Sequence, residues 1–131
     1  TKGVPVIGYG TDELPAFYTR KSGFAVDYRV DSPRALAEMF KAQRELGLKG
    51  GMLVTNPIPE EYAMPPEIIN EAIDRAVSEC EARGIHGKET TPFLLARVAE
   101  LTGGDSLASN IRLVYNNAMI AAKTAAEYCG L

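Results

Sequence analysis

A single histidine and two cysteines are all that this chain of 131 residues offers among the usual imidazole and thiolate ligands. One histidine, His86, excludes any site that needs two imidazoles, and a Ser-His-Asp arrangement would have to use it with no nucleophile motif to pair with. A structural zinc site wants four Cys or His ligands at close spacing, which these three residues cannot supply. Cys80 and Cys129 lie far apart, each on the apolar face of an expected helix, so they read as buried thiols in a reducing compartment and not as a disulfide. Basic excess is also missing. A formal charge of -3 and a pI near 5.2 leave no electrostatic footprint for nucleic acid. No apolar run approaches the roughly 20 residues of a membrane helix, and no charged-then-apolar leader is visible, which points to a soluble, cytoplasmic protein with no membrane partner. The chain opens on Thr1-Lys2-Gly3 and runs straight into strand-like residues, which suggests a piece of a longer protein.

What is present is organised around residues 46–59, Leu-Gly-Leu-Lys-Gly-Gly-Met-Leu-Val-Thr-Asn-Pro-Ile-Pro. Gly47 is the glycine expected just past a helix C-terminus, with Leu48 placed to pack back onto the last turn. Residues 51–55 have the length and apolar character of a central strand buried on both faces. The turn Asn56-Pro57-Ile58-Pro59 follows at that strand's C-terminal end, where open α/β sheets bind their ligands.

The other elements follow in order. Residues 4–9 read as a first strand closed by Gly8 and Gly10. The stretch Thr11 to Arg20 has no clean period; its Thr-Asp pair and adjacent aromatics, Phe17 and Tyr18, suit either a packed surface loop or a ligand-facing one. Phe24, Val26, Tyr28 and Val30 alternate with more polar residues, marking a second strand with Phe24 to Val30 on its buried face. Ser32 and Pro33 start a first helix, whose inward side is Leu36, Met39, Phe40 and Leu46. Pro65-Pro66-Glu67 opens a second with Ile68, Ile69, Ala72, Ile73, Ala76, Val77 and Cys80 in a 3, 4, 3, 4 rhythm, ending at Arg83-Gly84 with Ile85 as the hydrophobic partner of a Schellman cap. A third starts at Thr91-Pro92 and stops at Gly103-Gly104, and Ser106 caps a fourth. Strand, strand, helix, strand, helix, helix, helix is the order of an α/β sheet covered by helices.

Candidate chemistry is sparse. Glu60 and Glu61 after the turn are the best-placed acidic pair for acid-base work, but adjacent side chains diverge and Glu near a helix start also serves as a dipole partner. Gly47, Gly50 and Gly51 match no phosphate loop or dinucleotide fingerprint. His86 reads as a solvated loop residue. The fourth helix is more informative. At 100° per residue, Ile111, Val114, Tyr115, Ala118, Ala122 and Ala125 centre one apolar face, with Asn110 and Asn117 together on its border beside Ala121. Asn116 points with Arg112 and Lys123 to the other side. Asparagine is a poor helix former, so the border pair signals either buried bonds to backbone or an amide aimed at a ligand.

Several ordered motifs carry a resemblance. Gly3-Val4-Pro5-Val6-Ile7-Gly8-Tyr9, Thr11-Asp12-Glu13, Pro15-Ala16-Phe17-Tyr18, Ser22-Gly23-Phe24, Asn56-Pro57-Ile58-Pro59-Glu60-Glu61, Gly87-Lys88, Thr91-Pro92-Phe93-Leu94-Leu95-Ala96-Arg97, Leu101-Thr102-Gly103-Gly104 and Asn116-Asn117-Ala118 closely resemble the pseudouridine-5'-phosphate glycosidase family, also called the indigoidine synthase A-like family. The resemblance covers essentially the whole chain and implies a three-layer α/β/α sandwich with a mixed sheet, to which residues 1–131 contribute about three strands and four helices as the C-terminal part of a single glycosidase domain.

That family reversibly converts pseudouridine 5'-phosphate and water to uracil and ribose 5-phosphate. It breaks a carbon-carbon glycosidic bond through a lysine Schiff base, with a glutamate moving protons and a divalent metal, typically Mn2+, assisting. The resemblance places that lysine, that glutamate and the metal-binding aspartate upstream of Thr1, so no catalytic residue and no metal ligand is expected here, and Lys2 is not the Schiff-base lysine. It also implies a homotrimer, an N-terminal part of the same protein as partner, and a nucleotide substrate contacted by Asn110 first and Asn117 second. The alternatives are a related sugar-phosphate enzyme of secondary metabolism and a non-catalytic α/β module.

Overall fold

The structure is a computed structural model that describes residues 3–131; Thr1 and Lys2 lie outside the described residues, and with them the expectation for Lys2. The architecture is the expected α/β arrangement in the expected order: β1 (Val6–Tyr9), β2 (Tyr28–Val30), α1 (Pro33–Glu45), β3 (Leu53–Thr55), α2 (Pro66–Ala82), α3 (Thr90–Leu101) and α4 (Asp105–Cys129). One-turn 3-10 helices at Glu60–Tyr62 and Gly87–Glu89 precede α2 and α3. The three strands form one parallel sheet in the order β2-β1-β3, with Ile7 opposite Tyr28 on one side and Val54 on the other. Antiparallel pairing among the described residues is confined to isolated bridges, Glu13 with Ala25 and Ala16 with Thr19.

The strand read as central from sequence is therefore an edge of this sheet, and β1 holds the middle. A short apolar run is compatible with either position, since it records the need for cover and not who provides it. Ile7 is fully buried, whereas Leu53 is 51% and Val54 37% exposed, so β3 is not covered on both faces by the described residues. The second strand is shorter than the alternation suggested: Phe24 lies outside it and, with Tyr28, is well exposed. Its N-terminal part instead runs as a loop against the first one, through Val26 N–H to the Asp12 carbonyl at 3.1 Å and Leu14 N–H to the Phe24 carbonyl at 2.7 Å. That double loop covers the face of the sheet opposite the α1–α4 side. At Gly8 it comes so close that an added Cβ would collide with the Thr11 carbonyl oxygen.

The helix boundaries follow local chemistry. Ser32 Oγ accepts the Ala35 N–H at 3.2 Å and Pro33 opens α1 without losing a bond. At its end, Gly47 has φ +69°, and Gly47 and Leu48 donate to Arg44 and Gln43, closing the helix as expected. The side chains of Leu46 and Leu48, however, are exposed and do not return to the helix. In α2 the buried rows are Ile69, Ala72, Ala76 and Cys80, while Ile68 and Val77 lie on the outer flank. Its Schellman closure forms as expected, Ile85 N–H to Cys80 O at 3.1 Å. Ser106 is not the cap of α4: Gly104, with φ +94°, holds that position and Ser106 is fully buried inside the first turn. Cys80 is buried as expected, but Cys129, on the last turn of α4, is exposed; both are free thiols.

Two apolar clusters hold the described residues together. Tyr18, Met64, Ile69, Ala72, Ala76 and Val98 form one, between α2, α3 and the first loop. Ile7, Leu36 and Ile120 form the other, where α1 and α4 lie on the sheet.

Candidate functional site

The C-terminal ends of β1 and β3 are where the loops and α4 meet. Beyond β3, Pro57 and Ile58 are buried; the Pro59 and Glu60 carbonyls accept from the Tyr62 and Ala63 N–H groups, while those of Pro57, Ile58 and Tyr62 take donors from elsewhere. Side chains from two directions provide them. Arg20 Nη1 reaches across from the first loop to the Ile58 carbonyl at 2.5 Å. From α4, Asn116 Nδ2 donates to the Pro57 carbonyl at 3.3 Å and Ser109 Oγ to the Tyr62 carbonyl at 2.8 Å, while the Arg112 guanidinium stands 4.7 Å from the centre of the Tyr62 ring.

This reverses the expected orientation of α4. Ile111, Val114 and Tyr115, placed from sequence on its buried face, are 47%, 58% and 68% exposed, and the face turned inward carries Ser106, Ser109, Leu113 and Ile120. Arg112 and Asn116, assigned to the outside, are among the residues that grip the turn. Within the described residues, the face of α4 that packs is the one whose side chains meet the backbone of residues 57–62, and the apolar stripe is left uncovered by them.

Asn117 is exposed, and its Oδ1 accepts from Asn56 Nδ2 at 3.2 Å. The two amides line a mainly apolar, open-sided cavity of about 520 Å³ between α1, β3 and α4, together with Leu36, Phe40, Ile120 and Tyr128. Asn110 is half-buried and does not line that cavity; seven residues before Asn117, it stands about 10 Å away along the helix axis. The structure thus joins Asn117 to Asn56 and leaves Asn110 one clamp further back, beside Ser109. Sequence reasoning missed Asn56, Ser109, Arg112 and Asn116. The signal was available in the polar stripe at 109, 112 and 116, which repeats at helical spacing.

The first loop meets the same region. Ala16 and Thr19 exchange backbone hydrogen bonds at 3.1 and 3.0 Å around a tight turn that puts Phe17 at φ +49°, a conformation rare for a bulky residue. Tyr18 is buried beside Ser106; burial pushes its phenol up, with the Ser106 hydroxyl acting in the opposite direction. A second, polar recess of about 310 Å³ lies beyond β1, lined by Thr11, Asp12, Glu13, Arg20, Lys21 and Arg29. Its charges are largely matched: Arg29 pairs with Asp12 at 2.7 Å and Asp31 at 2.9 Å, which raises the guanidinium pKa further.

Glu60 and Glu61 sit exposed in the 3-10 turn and His86 is exposed in its loop. Among the described residues no group of three or more His, Cys, Asp or Glu side chains converges to hold a metal ion. Among the described residues no helix is long and apolar enough to cross a membrane. What the site offers is directional hydrogen bonding: an amide presents a donor and an acceptor side by side, the complement of an imide-like edge.

An α/β domain whose loops and amide-bearing helix converge beyond the carboxyl ends of parallel strands is of the kind that binds ligands at that edge. The model of the family described as indigoidine synthase A like protein matches residues 1–127, and the chain belongs to that family. It is 63% identical over 127 residues to a pseudouridine-5'-phosphate glycosidase of Clostridium botulinum, covering 97% of this chain and 41% of the relative. The glycosidase of Escherichia coli is 59% identical over 128 residues, again with 41% of its length covered. Among solved structures, the prealnumycin C-glycosynthase AlnA in complex with ribulose 5-phosphate superposes with a TM-score of 0.83 at 32% identity, covering 96% of this chain and 41% of that one. An indigoidine synthase A-like protein from Thermotoga maritima gives 0.79 at 34% identity, covering 93% of this chain and 40% of that one. The chain thus spans about two fifths of the length of the proteins it matches.

Proposed function

We propose that residues 1–131 are the C-terminal part of a pseudouridine-5'-phosphate glycosidase, and that they form the substrate-binding wall of its site. The observation that carries this reading is the 63% identity, over 127 residues, to a protein named for that activity. In the complete polypeptide, pseudouridine 5'-phosphate and water become uracil and ribose 5-phosphate. Carbon is a poor leaving group, so the ribose is opened and held as a Schiff base on a lysine that the remainder of the polypeptide supplies, together with a proton-transferring glutamate and a Mn2+ site. The part played here is recognition: Asn110, and secondarily Asn117, donate to and accept from the pyrimidine edge. We further propose a homotrimer and a cytoplasmic location.

The test compares two proteins. The complete polypeptide should release uracil from pseudouridine 5'-phosphate, while the isolated 131-residue chain should release none, because losing a covalent nucleophile costs many powers of ten. Uracil release by the isolated chain would overturn the assignment of the lysine to the remainder. A second reading, a C-glycosidic enzyme of secondary metabolism, is favoured by the fold match to the C-glycosynthase bound to ribulose 5-phosphate. It predicts that the complete polypeptide accepts ribose 5-phosphate with an aromatic carbon partner and turns over uracil poorly.

A further inference from the structure

The grip of α4 on the turn after β3 has a regular geometry. Its two donors, Ser109 and Asn116, are seven residues apart, close to two full helical turns, so they share a face and stand about 10 Å apart along the axis. Their acceptors, the carbonyls of Tyr62 and Pro57, are five residues apart in the turn and run in the opposite sense. A rotation or slide of α4 therefore breaks both bonds together. Ser109 is only 6% exposed, so no solvent replaces its bond. Asn110 and Asn117 each follow one of these donors directly, rotated from it by about 100°, and so inherit its register.

We infer that Ser109 and Asn116 are positioning residues, which fix the rotation and register of α4 against residues 57–62 and thereby set where the Asn110 amide stands in the site. This rests on the reading in which Asn110 contacts the substrate. Neither residue touches the reacting atoms. Their effect on the reaction passes through Asn110, and that dependence separates positioning from a general role in stability.

A double-mutant cycle in the complete polypeptide, read as kcat/KM for uracil release from pseudouridine 5'-phosphate, tests it. Ser109→Ala should lower kcat/KM about tenfold or more, as small displacements of a binding group do. Ser109→Thr, which keeps the hydroxyl, should recover most of that loss. In an Asn110→Ala background, Ser109→Ala should cost about twofold or less, because the group it positions is gone. The same factor in both backgrounds, or a Ser109→Ala rate equal to the parent's, overturns the inference. If Ser109→Ala does not fold, Asn116→Asp at its half-buried position removes the donor at constant size and enters the same cycle with the same expectations. A parent that releases no uracil defeats the glycosidase reading itself, whereas an active parent with an additive cycle removes only the positioning role.

Discussion

The two apolar clusters of this chain differ in how completely they are closed. The one between α2 and α3 draws most of its residues from one continuous stretch, Met64 to Leu101, with Tyr18 inserted from the first loop. The one on the sheet has three buried members, Ile7, Leu36 and Ile120, and beside it the described residues leave Leu53, Val54, Val114 and Tyr115 exposed. The first is a folding unit that satisfies itself. The second is a surface whose apolar contacts are unfinished and whose Gln43 Oε1 and Thr124 Oγ1 are buried without a partner among the described residues, so the amides and the turn stand on the side that has room for something else.

The sharpest way to break this contrast is to weaken the closed cluster and, separately, the open edge beside the other. Ile69→Ala, at a fully buried position in the closed cluster, should lower stability by about 2 to 5 kcal/mol, read from chemical denaturation. Leu53→Ser on the exposed edge strand should change it by about 0.5 kcal/mol or less. Equal losses would mean that the sheet cluster is as closed as the other.

Asn110→Asp keeps size and removes the donor. In the complete polypeptide it should reduce turnover by about 10- to 100-fold, the loss of one hydrogen bond to a polar substrate group, with a nearly unchanged melting temperature. A depressed melting temperature with normal rates would instead make Asn110 structural and move the contact to Asn117.

Association should follow the open side. The isolated chain, with an unpaired β3 edge and an exposed apolar stripe on α4, should sediment as more than a monomer, and Leu53→Ser should shift it toward monomer. A monodisperse parent monomer with a sharp cooperative melt contradicts this.

The smallest effect belongs to the closed side. Glu79 accepts from Arg97 at 2.6 and 3.0 Å, and that guanidinium holds its carboxyl below the usual glutamate range. A depressed pKa contributes stability that is fully present above the unfolded-state value and is lost as pH falls through the folded one. Glu79→Gln should therefore melt slightly below the parent at neutral pH, and the gap should close in acid. A gap that persists in acid would assign the loss to packing.

The fold was legible where a local rule decides it. Ser32 and Pro33, Gly47, the rhythm of Ile69, Ala72, Ala76 and Cys80, and the Gly84-Ile85 closure depend on neighbours in sequence, and element order followed from them. Two readings failed because the deciding partner is remote. Residues 53–55 look the same in sequence whether central or at an edge, since the composition of a strand does not name its neighbours. The apolar stripe of α4 looked inward because periodicity assigns the larger apolar face to the core. The face of α4 that packs within these residues instead donates to the Pro57 and Tyr62 carbonyls 59 and 47 residues earlier, and such backbone acceptors leave no mark in side-chain hydrophobicity. The candidate site shows the same division: the asparagines of α4 stand out in sequence as poor helix formers, whereas Asn56 gains its meaning only from the helix residue it donates to, Asn117.

The grip on the turn also bears on when the molecule becomes whole. Its bonds join residues 47 and 59 positions apart, and the loop they close contains all of α2 and α3. Closing a long loop early costs entropy that nothing yet offsets, whereas the contacts inside it are near in sequence. On that ground the α2–α3 unit is expected to form before α4 seats. Bonds made after the rate-limiting step leave the folding rate alone and govern how fast the native state is lost. Ser109→Ala should therefore leave the folding limb of a chevron nearly unchanged and raise the unfolding limb, the mark of a latch on the lifetime of the fold.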